Sequence, residues 1–211
     1  MIDPGPALPD HIDALLAELE ARGPTGAILL THDHSDHVQA APILSERTGA
    51  PVAALDPGAD LVLADNVAVG PLTTIATPGH APDHVAFLLG GICFSGDLVL
   101  GTGSVVISPE PGSMAAYMAS LERLQALELQ LIAPGHGPLI TDPATKLRVY
   151  IAHRVERERQ VLAALEEGLR DRDELLDRVW PAVSAELRPG AAATLAATLD
   201  KLGAEGRLPH S

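Results

Sequence analysis

Short apolar runs broken by glycine and proline fill the chain up to about residue 140. AILLT (27–31), PVAAL (51–55), LTTIATPGH (72–80), HVAFLLG (84–90), ICFSGD (92–97) and LQLIAPGHG (129–137) read as strands that end in loops. Between them, PDHIDALLAELEARG (9–23), SDHVQAAPILSERTG (35–49) and GSMAAYMASLERLQALE (112–128) read as helices. In the last, Met114, Met118, Leu121 and Leu124 recur at helical spacing. Alternating strands and helices predict an α/β layered architecture over residues 1–142. The pattern then changes. Residues 141–168 are long, charged and amphipathic, and 171–180 and 189–208 follow with helical patterning. These predict a small helical domain over 143–211, of helix-turn-helix or winged-helix type. The stretch IDPG at residues 2–5 reads as a strand running into a turn, so the chain starts as if in the middle of a sheet.

Composition supports a buried core and narrows its chemistry. Hydrophobic residues are 46% of the 211, yet there are only two Phe, two Tyr and one Trp, so the core is aliphatic. No apolar run is long enough to span a bilayer, and MIDPGPALPD lacks the regions of a signal peptide. The single cysteine, Cys93, forms no internal disulfide and reads as a buried core thiol; a cytoplasmic location fits. The formal charge of −14 is uneven. Residues 1–150 hold five Lys/Arg against seventeen Asp/Glu, and residues 151–211 hold nine against eleven. Such a body repels a phosphate backbone, which argues against nucleic acid as a partner.

The densest chemistry lies in THDHSDH, residues 31–37. His32 and His34 alternate along extended chain and point to one side. Asp36 and His37 fall on the first turn of the helix that follows. Four donors thus converge where a strand becomes a helix, enough to feed two metal ions. Composition alone yields such a pattern in about one sequence per thousand. Three more residues of ligand type, His80 in TPGH, Asp97 in SGD and His136 in PGHG, each follow a strand beside glycine. Strand ends are where α/β folds place their sites. A helix starting near Asp36 would favour an anion at its N-terminus, which points to an anionic substrate.

The set THDHSDH, TPGH, SGD and PGHG, in this order, resembles the metallo-β-lactamase-fold hydrolases over almost all of residues 1–140. The resemblance implies an αββα sandwich with a binuclear site at one edge. It implies that His32, His34 and His80 hold one divalent ion and Asp36, His37 and His136 a second, with Asp97 bridging. Zinc is the expected metal, and a hydroxide held between the ions the expected nucleophile. Asp36 would also orient that hydroxide, and Asp33 would be hydrogen-bonded to a ligand histidine or to backbone. YIAHRVERERQVL (150–162), DKLGAEGRL (200–208) and TPGHAPDHVAF (77–87) look like the lactamase-beta-like branch, whose C-terminal domain is winged-helix-like. The Asp36–His37 pair and the missing signal peptide point away from antibiotic hydrolysis. The fold normally has strands before the IDPG turn; shortened, it would leave a sheet edge on which two chains could pair as a homodimer.

Other residues carry two readings. His84 starts a strand, as a structural hydrogen-bonding group or as a proton donor to the leaving group. Tyr150, His153, Arg154 and Arg157 share one helix face, either salt-bridged in solvent or clamping an anionic substrate over the site. His11 and His210 read as surface histidines. The first functional reading is hydrolysis of a small anionic ester, thioester or related acyl bond. The alternative is cleavage of single-stranded RNA, which the scarcity of stacking aromatics opposes. A DNA-binding regulator is a third, opposed by the acidic C-terminal part.

Overall fold

The computed structural model describes residues 1–110 and 112–209. Its elements are α1 (Pro9–Arg22), β1 (Ile28–Leu29), α2 (Ser35–Val38), α3 (Ala41–Thr48), β2 (Val52–Ala54), β3 (Leu61–Val62), β4 (Ala68–Val69), β5 (Leu72–Ala76), β6 (Val85–Leu89), β7 (Ile92–Gly96), α4 (Ser113–Gln125), β8 (Leu131–Pro134), α5 (Pro143–Glu166), α6 (Arg172–Val179) and α7 (Arg188–Ala204). All six expected strands form, shorter than the apolar runs that announced them. Two very short strands, β3 and β4, lacked a readable apolar run. The helix expected over 35–49 is two, because Pro42 has no N–H to continue the first and instead sits in the first turn of the second. α2 is therefore a single turn, too short for an appreciable macrodipole, and the dipole argument for an anionic substrate lapses.

The strands make two sheets. One is parallel with order β1-β2-β3; the other has order β4-β5-β6-β7-β8, antiparallel except for the parallel β7–β8 pair. Ile2 extends the first by a parallel bridge to Leu29, the strand end anticipated at IDPG. The two-residue period of β6 and β7 decides the layers. Phe87 faces Leu29 and Ala53 of the first sheet, while Ala86 and Cys93 face Tyr117, Leu121 and Leu124 of α4. On the far side of the first sheet, Ile12 and Leu16 of α1 and Leu44 of α3 cover Ile28 and Ala54. The order is helix, sheet, sheet, helix. Burial pushes the Cys93 thiol up to about 12, which suits an inert core residue.

Asp142 caps α5 by accepting from Thr145 N, and Asp171 caps α6 by accepting from Asp173 N and Glu174 N. Helices α5, α6 and α7 share a second core of Val161, Leu165, Leu175, Leu176, Leu195 and Leu202. Leu147, Tyr150 and Ala197 also enter the core under the larger sheet, so these helices are anchored to it. No strand follows β8 among the described residues, so the C-terminal helices come without a wing. Among the described residues no helix is long and apolar enough to cross a membrane.

Candidate metal centre

Strands β5, β7 and β8 run in one direction, so their C-terminal ends meet at one edge of the sandwich, where β6 begins. His80, Asp97 and His136 follow those ends, and His84 precedes Val85. Val85 N donates to Thr31 O (2.7 Å), which ties the end of the first sheet to the same edge. The THDHSDH loop is thereby laid against residues 46 to 100 positions away, from His34–His80 to Asp36–His136.

Candidate ligand atoms gather there in three groups, each within 4.8 Å: His32, His34 and His80; His32, His37 and Asp97; Asp36, His37 and His136. Asp97 lies between the halves. Its Oδ1 is 3.6 Å from His37 Nε2, and its Oδ2 is 3.8 Å from His80 Nε2 and 3.5 Å from His136 Nε2. His136 Nε2 is 3.1 Å from Asp36 Oδ2, and His80 Nε2 is 3.1 Å from His34 Nδ1. His32, His37 and Asp97 are buried, whereas His34, Asp36 and His136 are exposed, so the cluster opens on one side.

Hydrogen bonds fix which ring nitrogens face inward. His37 Nδ1 donates to Asp3 Oδ2 (2.8 Å). Thr31 N donates to Asp3 Oδ1 and Thr31 Oγ1 to Asp3 Oδ2, both at 2.7 Å. With its own proton spent on Asp3, Thr31 Oγ1 accepts from His32 Nδ1 (2.9 Å). His80 Nδ1 donates to the Val106 carbonyl (2.9 Å). Asp3 thus supports two candidate ligand histidines, a role the sequence suggests for Asp33, which is exposed. The signal that could have revealed it was the IDPG turn: Asp3 has φ +44°, and His11 Nε2 donates to Pro4 O (2.7 Å) behind it.

What remains inside is a set of buried atoms without hydrogen-bond partners: His32 Nε2, His37 Nε2 and Asp97 Oδ1. Buried polar atoms are rarely left so, and three turned toward one another fit cations. The electrostatics agree. Burial, then the neighbouring histidines, hold His32 down to about 2, and burial also lowers His80, so both keep free lone pairs at neutral pH. Burial opposes the charge on His37, but Asp3 and Asp97 override it and raise the ring to about 10. Burial likewise opposes the charge on Asp97, which His37, His136 and His80 hold below the usual carboxylate range. A metal at His37 would displace a proton.

Glycine makes room for this density. A Cβ on Gly135 would lie 2.5 Å from Asp97 Oδ1 and 2.8 Å from His37 Cε1. Gly96 has φ +47°, and a Cβ there would meet Thr31 Oγ1 at 2.6 Å.

The remaining sequence candidates are engaged by the chain itself. His84 is fully buried; its Nε2 accepts from Asp97 N (3.1 Å) and its Nδ1 donates to Thr77 Oγ1 (2.8 Å). Burial lowers it to about 3. Tyr150 Oη donates to Gly103 O (2.9 Å), and Arg154 donates to Ser104 Oγ (3.0 Å) and Val105 O. Arg157 donates to Gln160 and Val179 O and lies over Trp180. His153 is half-buried and lines a cavity of about 220 Å³ with Ser104, Val106 and Trp180. His11 is half-buried, and His210 lies outside the described residues.

A family model described as the metallo-beta-lactamase superfamily matches residues 1–65 and 56–136. The chain belongs to the metallo-beta-lactamase superfamily. It is 33% identical to the beta-lactamase-like protein 2 homolog of Drosophila melanogaster, over 94% of this chain and 74% of that protein. It is 37% identical to the lactamase-like protein adaB of Aspergillus niger and 36% to an atrochrysone carboxyl ACP thioesterase of Aspergillus chevalieri, each over 80% of this chain. It spans only 55% and 57% of those two proteins. Among solved structures, a metallo-beta-lactamase family protein of Thermus thermophilus superposes with a TM-score of 0.79 at 25% identity, covering 97% of this chain and 84% of that one. TTHA1623, solved in a di-iron-bound form, is 35% identical with a TM-score of 0.57, covering 68% of this chain and 84% of that one. Members of this superfamily, thioesterase-named relatives among them, are hydrolytic enzymes, and the His/Asp groups of this chain could hold divalent metal.

Proposed function

We propose that the chain is a dinuclear metal-dependent hydrolase of small acyl thioesters or related esters. The observation that carries this is the set of partnerless buried atoms, His32 Nε2, His37 Nε2 and Asp97 Oδ1, flanked by His34 and His80 on one side and Asp36 and His136 on the other. These seven residues would hold the two ions, with Asp97 shared. When bound, such a pair supplies activated water and polarises the substrate oxygen. The chain does the positioning. Asp3 and Thr31 fix the His32 and His37 tautomers, and His84 secures the backbone of Asp97. Asp36, exposed at the open side, would orient the attacking water. His84, with both nitrogens committed, acts through Asp97 rather than on a leaving group. The name of the Aspergillus chevalieri relative supports the thioester as the bond cleaved.

The C-terminal helices add nothing that favours RNA. Arg159, Arg178, Arg188, Lys201 and Arg207 are paired with carboxylates, and residues 151–211 carry eleven Asp/Glu against nine Lys/Arg, a balance that opposes a phosphate backbone.

A panel of acyl thioesters and esters, run beside a labelled single-stranded RNA on one metal-quantified preparation, tests the proposal. Thioester hydrolysis that disappears in Asp97→Ala is the expected result. RNA cleavage that disappears in the same variant, with thioesters intact, would overturn it.

A further inference from the structure

The segment from Asp97 to Ile107 touches the candidate ligands three times. It begins with Asp97 itself. Gly101 N donates to the backbone carbonyl of His136 (2.9 Å), and the Val106 carbonyl accepts from His80 Nδ1 (2.9 Å). Yet it is a loop without a regular hydrogen-bond ladder of its own. Tyr117 Oη of α4 donates to Leu98 O and Ser95 Oγ to Val99 O, while the oxygens of Gly101, Gly103 and Val105 are taken up by one face of α5. Lys146 Nζ donates to Gly101 O (2.9 Å). One turn on, Tyr150 Oη accepts from Leu100 N (3.1 Å) and donates to Gly103 O (2.9 Å). One turn further, Arg154 donates to Ser104 Oγ (3.0 Å) and Val105 O. At the far end, Ile107 N donates to Thr194 Oγ1 of α7 (3.3 Å).

Arg154 is the telling member. It is 6% exposed, its Nε has no hydrogen-bond partner, and no carboxylate pairs with it among the described residues; its guanidinium lies 5.1 Å from the Tyr117 ring centroid. A desolvated cation with no carboxylate is costly, and an apolar side chain would fill the same space at less cost. What the buried cation supplies, and an apolar side chain cannot, is a pair of charge-assisted bonds that fix two loop oxygens. The second of these belongs to Val105, the residue before the carbonyl that orients His80.

We propose that Lys146, Tyr150 and Arg154 are positioning residues for the metal centre, a three-turn brace on α5 that holds the 97–107 segment so that Val106 O sets the His80 ring. The inference rests on the dinuclear reading above. It gives the C-terminal helices a role in the chemistry without any contact with substrate.

Zinc titration of the whole protein against a competing chelator tests it, with Arg154→Met, Arg154→Lys and His80→Ala compared with wild type. Arg154→Met is expected to weaken one of the two metal equivalents about 10-fold, the size of an outer-shell effect. The other equivalent stays within about threefold, and Arg154→Lys recovers part of the loss. In the His80→Ala background, which has already lost that equivalent, Arg154→Met should change the remaining one no further. A variant that loses thermal stability but binds both equivalents like wild type, or weakens both alike, overturns the brace while leaving the dinuclear reading intact. Wild type that fails to bind two equivalents overturns the dinuclear reading and the brace with it. Should Arg154→Met not fold, Tyr150→Phe, which removes the bonds to Leu100 N and Gly103 O one turn earlier in the brace, undergoes the same comparison with the same criteria.

Discussion

Replacing Asp3 by asparagine tests how far the proposed centre depends on a residue outside its candidate ligands. The Asp3 carboxylate accepts three hydrogen bonds, from Thr31 N on one oxygen and from Thr31 Oγ1 and His37 Nδ1 on the other. An amide offers one oxygen and one NH2, so one orientation sets the NH2 against the buried Thr31 N–H. The other sets it against the Thr31 hydroxyl and the His37 ring. Either leaves a buried donor unmatched, at about 1–3 kcal/mol of stability. The same change loosens His37 directly and His32 through Thr31, one ligand of each half. Outer-shell losses of this kind weaken metal affinity about 10- to 100-fold, or about 1.4–2.7 kcal/mol. Chelator competition at neutral pH reads the affinity, and urea unfolding of the metal-free protein reads the stability. Asp3→Asn with wild-type affinity and an unchanged urea midpoint would refute the reasoning.

Three further outcomes follow from the same geometry. Gly135→Ala should cost over about 100-fold in metal content and activity, because its Cβ would meet Asp97 Oδ1 at 2.5 Å, whereas Gly103→Ala, with nothing within 4 Å, should lose only about 1 kcal/mol of stability to its left-handed backbone; metal analysis after gel filtration separates them. His84→Ala should lower the unfolding free energy by about 3 kcal/mol, since it opens a cavity and strands Asp97 N and Thr77, and an unchanged denaturant midpoint would contradict that. In chelator, protonated His37 is held by Asp3 and Asp97 with its pKa raised from 6.5 to about 10. Its contribution is therefore complete below pH 6.5 and fades as pH climbs to 10, on the order of a few kcal/mol. Urea midpoints across that range should fall more steeply for wild type than for Asp3→Asn, and parallel curves would count against the pairing.

What could be read from the sequence divides by distance along the chain. The main strands and helices were visible because their period is local, and the ligand set because four of its members crowd into residues 32–37. Asp3 was missed because its partners, Thr31 and His37, come to it only through the parallel bridge of Ile2 to Leu29. Tyr150 and Arg154 were placed on the right helix face, but nothing local says that this face meets the loop after Asp97 rather than solvent. Pro42 is visible in the sequence, but the apolar period runs on across it, so the period alone does not show the break between α2 and α3. β3 and β4, at two residues each, have too few positions to show an alternation.

The spacing of the candidate ligands also bears on how the chain reaches its native state. His32, His34, Asp36 and His37 span six residues, so in the proposed reading these four would meet an ion before anything else has folded. His80, Asp97 and His136 arrive only when both sheets have closed. An unfolded chain that bound the ion there would be stabilised too, so an added ion would stabilise the native state by less than its native affinity implies. In the collapsing chain, an ion captured early at residues 32–37 becomes a point on which the three distant strand ends converge.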